Sequence, residues 1–69
     1  SEGEAALAAI ARHEARFPEG QLAAERESIR VRALLLLGRN DEARWAAERF
    51  RAEYPESIFM GVVERAAPR

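Results

Sequence analysis

Residues 34–55, LLLLGRNDEARWAAERFRAEYP, decide the fold: four leucines close one helix, Gly38-Arg39-Asn40 turn the chain, and a second helix runs until Pro55 stops it. Gly38 can take the left-handed conformation that closes a helix, because it has no Cβ to clash. Asn40 or Asp41 is expected to accept a hydrogen bond from the free amides of the next helix, and Asp41 and Glu42 place negative charge at its positive end. The second helix starts about three residues after the first one ends. So short a link forces the two together as an antiparallel pair.

The second helix of this hairpin shows what it buries. Ala43, Ala47, Phe50 and Tyr54 are spaced by four, three and four residues, which at about 100° per residue makes one narrow stripe. Alanines near the turn let the partner backbone approach, and the rings fill the wider gap at the far end. Arg44, Glu48, Arg49, Arg51 and Glu53 occupy most of the remaining surface.

Upstream, a helix is expected over 4–16, with Glu2 and Glu4 suited to its N-terminus and Pro18 to its end. Its stripe, Ala6, Ile10, His13 and Phe17, repeats the four, three, four spacing. Each position matches one 37 residues later: Ala6 with Ala43, Ile10 with Ala47, His13 with Phe50, Phe17 with Tyr54, Pro18 with Pro55, Gly20 with Ser57. A period of this length is expected of helical-hairpin arrays. The next helix is expected over 21–37, with Gly20 as its N-cap and Leu22, Ile29, Ala33 and Leu36 as its stripe. Val31, Leu34, Leu35 and Leu37 add apolar surface on other sides, so its second half reads as the most buried element. A short last helix is expected over 58–66, capped by Ser57 and ended by Pro68, with Phe59, Val62, Val63 and Ala66 as its stripe and Ile58 and Met60 off it. Gly61 within it costs about 1 kcal/mol relative to alanine and is expected to permit close packing.

The run of Gly38, Glu42-Ala43, Phe50, Tyr54-Pro55 and Ser57 resembles the second half of a tetratricopeptide-type repeat, in the variant found in bacterial envelope proteins. The resemblance covers about one repeat well. It departs in the first helix of that repeat, where Glu27 and Val31 stand near the positions of the usual large aromatic and small residues. It implies an all-α fold, a four-helix antiparallel hairpin array corresponding to one and a half to two repeats of a tetratricopeptide-like solenoid. In that register the first helix is the second half of a repeat begun elsewhere, and the last is a helix cut short as a cap. The single domain is therefore expected to be a piece of a longer protein, with one apolar flank completed by its parent chain or by a second copy.

Composition narrows the function. Sixty-nine residues give one small domain that buries only about 60% of its unfolded surface. With no cysteine, neither disulfides nor thiolate metal sites reinforce it. All positive residues are arginine and the formal net charge is −1, a composition expected of a high-GC bacterial genome. Interspersed charge argues against a general nucleic-acid or anionic-membrane surface. The apolar run Ala33 to Leu37 is too short for a membrane span, so no membrane insertion is expected. No compartment can be read.

Trp45 is the most informative single residue, set nearly opposite Phe50 on its helix. Two readings stand for it. With Ala52 one heptad further, and Ala8 and Ala15 in the matching places upstream, it marks a contact patch for a partner chain or a neighbouring repeat. Otherwise it lies flat over Arg49 or Glu48, part exposed. The family resemblance implies a second partner-binding set, Glu25, Ser28, Arg32 and Leu35, lining a peptide groove in which Arg32 holds a carboxylate. An ordinary solvated face is the alternative for these four.

His13 reads as a packed stripe residue, since no second histidine, cysteine or aspartate cluster completes a metal site. No serine shares a helical face with it and no glycine-rich phosphate loop is present, so neither catalysis nor a cofactor is expected. A helix-turn-helix would present Asp41 and Glu42 to DNA phosphates, which repel them. The expected function is thus a non-catalytic protein–protein interaction or assembly module, whose partner is a protein, a peptide or its own parent chain. The alternatives are a homodimerisation domain and, behind it, a small DNA-binding regulator.

Overall fold

Three prolines and one glycine divide the chain. In the computed structural model, which describes residues 1–69, four helices lie between them: α1 (Glu2–Arg16), α2 (Ala23–Leu36), α3 (Asn40–Glu53) and α4 (Met60–Ala66). The fold is all-α, as the spacing of apolar residues predicts. Phe17, Tyr54 and Ala67, each just before a proline, leave the helix with φ/ψ of −137/70°, −130/55° and −137/78°. The ring of the following proline excludes the α conformation there, while each of the three amides still bonds to the carbonyl four residues back. At the α2–α3 turn Gly38 has φ +73°. Its N–H bonds to the Leu35 carbonyl and that of Arg39 to the Leu34 carbonyl, both at 2.9 Å, which completes a Schellman closure.

The caps differ from expectation in four places. α1 starts two residues earlier than predicted because the Ser1 Oγ accepts the Glu4 N–H at 3.2 Å while the Glu4 carboxylate takes the Ser1 amino group, a capping box. α2 starts at Ala23 rather than Gln21, and Gly20 is no N-cap: its carbonyl accepts the Ala23 N–H at 3.1 Å across a preceding turn. At α3, Asn40 is already helical and no side chain caps the amides. Asp41, expected to cap, pairs with Arg44 instead. Ser57 acts one turn ahead of α4, its Oγ accepting the Phe59 N–H at 3.0 Å.

Packing centres on α2, which meets α1, α3 and α4, while α3 also meets α4 and α1 touches α2 alone. The shared core is Val31, Ala47, Phe50, Val63 and Ala67, with Ala24, Tyr54, Phe59 and Met60 packed against it. Ala43 and Ala47 are fully buried and Phe50 and Tyr54 stack with ring centroids 5.3 Å apart, so the α3 stripe is as predicted. At the α1–α2 contact Gly3 is buried, and a Cβ there would meet the Leu37 Cγ at 2.8 Å and the Ala33 carbonyl at 3.3 Å. Gly61, by contrast, is exposed with only the Arg65 guanidinium near it, so it does not serve close packing.

The stripe predicted for α2 is largely overturned. Ala33 is buried, but Leu22, Ile29 and Leu36 are 57%, 41% and 74% exposed. The buried positions are Ala23, Arg26, Ser28, Val31, Ala33 and Leu34. The domain is a slab measuring 28 × 26 × 15 Å, and three neighbours around a central helix leave its fourth side open. Phe17, predicted to lie in the α1 stripe, is also half exposed, because α3 does not reach α1 to cover it.

Candidate interaction surfaces

Residues 22, 25, 29, 32 and 36 of α2 and its cap follow a three-four spacing and so fall on one side of the helix. That side is the open one. Leu22, Ile29 and Leu36 form its apolar ridge, and Arg32, also exposed, and the half-buried Glu25 flank it. Of the four residues implied for a peptide groove, the fold thus keeps Glu25 and Arg32 together at the surface. Leu35 is only half buried, and Ser28 is 2% exposed with its hydroxyl donating to the Glu25 carbonyl at 2.7 Å. Ser28 therefore offers nothing to a partner. It lies between Ala24 and Val31 on the side turned to the core, where a hydroxyl survives only by bonding back to its own helix.

Trp45 occupies a different surface. It is 61% exposed, and the Arg49 guanidinium lies 5.0 Å from the ring centroid, a cation–π stack. Since α1 and α3 do not touch, a cleft of about 600 Å³ opens between them above α2, with Leu7, Glu14, Arg30, Leu34, Trp45 and Arg49 among its walls. Its charges are mostly satisfied internally: Arg49 holds Glu53, Arg39 holds Glu42, and Arg30 holds Glu14 and Glu27. Ala52, one heptad further along α3, is exposed as Trp45 is but does not line the cleft.

One residue that sequence pattern places in a polar half-helix turns out to be structural. Arg26 is 6% exposed. Its guanidinium donates to the Phe17 carbonyl at 2.7 Å, the Pro18 carbonyl at 3.2 Å and the Glu27 carboxylate at 2.6 Å, and lies 3.4 Å from the His13 Nδ1. It therefore satisfies the carbonyls freed where α1 ends and fixes that end to α2. Burial pushes the Glu27 carboxyl up, but hydrogen bonds from Arg30 and Arg26, with their charges, outweigh it and hold its pKa below the ordinary carboxylate value. His13 packs at 5.4 Å from the Phe17 ring, half buried as its stripe position predicts. The sequence carries no local mark of the Arg26 burial, because the acceptors are main-chain carbonyls of another segment.

On the far side, Arg51 bridges α3 to α4 through Glu64 at 3.0 Å and through the Ala67 carbonyl. No group of three or more His, Asp or Glu side chains is placed to hold a metal ion. No helix is long and apolar enough to cross a membrane. Comparison with known proteins returns no match to a family model, to a curated protein or to a solved structure.

Proposed function

We propose that the chain is a non-catalytic protein-interaction or assembly module, and that it engages its partner through the open side of α2. The observation that carries this reading is the exposure of Leu22, Ile29 and Leu36 along one side of the helix that otherwise centres the core. Apolar side chains aligned over four turns of a small domain mark a contact surface, whereas single exposed apolar residues do not. Trp45 stands apart from them, exposed on another surface with its ring stacked on Arg49.

The tetratricopeptide-like reading belongs to the same proposal. Its support is the repetition at 37 residues: His13–Phe17 and Phe50–Tyr54 are ring pairs with centroids 5.4 and 5.3 Å apart, each ending a helix before a proline. In such an array the first helix of each hairpin lines the binding face, and α2 holds that place here. A photo-crosslinking residue at position 29, compared with one at the exposed Arg12, tests the reading in cells that produce the chain. Discrete adducts at 29 and none at 12 are expected; absence of any adduct at 29, to itself or to another protein, refutes it.

A further inference from the structure

The geometry points to a second copy of this chain as the partner that covers the α2 ridge, in a two-fold antiparallel pairing centred on Ile29. The inference rests on the ridge being the contact surface proposed above. A two-fold interface must be complementary to itself, and this ridge is. Leu22 stands seven residues before Ile29 and Leu36 seven after it, so with Ile29 on the axis Leu22 of each chain meets Leu36 of the other. Glu25 lies four residues before Ile29 and Arg32 three after it. The same axis brings Glu25 of each chain to within one residue of Arg32 of the other, about 1.5 Å along the helix.

The charges choose this orientation. Seven of the eleven arginines are held in ion pairs inside the chain, but Arg32 is not, and Glu25 is likewise outside every internal pair. An antiparallel pair gives each its opposite twice over. A parallel two-fold pair would put the two copies of Glu25, and the two of Arg32, on opposite flanks of the ridge and leave each without its opposite charge. The apolar contacts remain those of three large aliphatic side chains per copy, and the charges fix register and direction.

Sedimentation equilibrium on the chain and on two charge reversals tests the pairing. The wild type is expected to dimerise. Arg32→Glu and Glu25→Arg, each a change at a position with no internal ion pair, each turn two attractions into two repulsions and are expected to raise the dimer dissociation constant by about tenfold or more. An equimolar mixture of the two variants restores both opposite pairs, and a heterodimer of near wild-type affinity is expected. Trp45→Ala, on the other surface, leaves the dimer unchanged. Circular dichroism verifies that each variant remains helical. A dimer that ignores both reversals, or a mixture that shows no rescue, overturns the register. A wild type that stays monomeric up to about 1 mM, where even contacts worth only ~4 kcal/mol would pair, overturns the self-pairing. In that case adducts from position 29 to another protein leave the interaction-module reading standing, and their absence removes both.

Discussion

Replacing Arg26 by methionine removes the clamp that ties the end of α1 to α2 while keeping a stem of similar length in the buried site. Three charge-assisted hydrogen bonds are lost, to the Phe17 carbonyl, the Pro18 carbonyl and Glu27. Such bonds are worth roughly 1.5–3 kcal/mol each when buried. Phe17 and Pro18 are exposed, so water re-solvates their carbonyls and each bond is discounted to about 1 kcal/mol. Glu27 keeps Arg30 at 2.8 Å and loses less still. The expected loss is about 2–3 kcal/mol, against a total of roughly 3–10 kcal/mol for a domain of this size. Urea unfolding followed by far-ultraviolet circular dichroism reads it directly, and thermal melting is expected to fall by about 10–20 °C. Arg26→Lys, which keeps the charge on a single head and cannot reach both carbonyls, is expected to lose about half as much. If Arg26→Met costs under about 0.5 kcal/mol, or the lysine variant matches wild type, the clamp argument is wrong.

Other outcomes follow from the same contacts. Gly3→Ala drives a methyl group into Leu37 and the Ala33 carbonyl and is expected to destabilise by about 1–3 kcal/mol despite alanine's helix propensity. Gly61→Ala has only a flexible arginine end near it and is expected to stabilise by up to about 1 kcal/mol; denaturant midpoints for the two should move in opposite directions. Phe50→Ala empties the centre of a core in which the ring is 1% exposed, and a loss of about 3–5 kcal/mol should leave much of the chain unfolded by circular dichroism at 25 °C. For Glu27 the folded-state pKa is depressed. Its contribution is therefore complete above the unfolded value of about 4.3 and is lost as pH falls through the folded value. Acid titrations of stability should show that loss in the wild type and a flatter limb over the same range in Glu27→Gln.

The hairpin was legible because its signals are local. Gly38 closes α2 with φ +73°, Pro55 stops α3, and the Ala43, Ala47, Phe50 stripe is buried as spaced. The α2 ridge was half legible. Its period could be read, and Glu25 and Arg32 were placed on a binding face, but the side assigned to the core was the wrong one. A helix apolar on several sides carries no internal mark of which side its neighbours cover. That is settled by Gly3 and Ala33, which bring α1 onto one side of α2, and by Val63 and Ala67, which join the core on another. Arg26 was missed for a related reason: a buried arginine needs acceptors, and the carbonyls of Phe17 and Pro18 become available only once α1 folds back. Ser28 likewise reads as a surface hydroxyl until its bond to the Glu25 carbonyl is seen.

The measurement that bears most directly on this account is methyl nuclear magnetic resonance with a soluble paramagnetic probe, recorded on the chain over a concentration series. In dilute solution the methyls of Leu22, Ile29 and Leu36 should be strongly attenuated, as should that of Ile58, which is 89% exposed. As concentration rises, the three α2 methyls are expected to recover together while Ile58 stays attenuated. Recovery of Ile58, with the α2 ridge open to the probe at every concentration, would contradict the account and place the contact surface elsewhere.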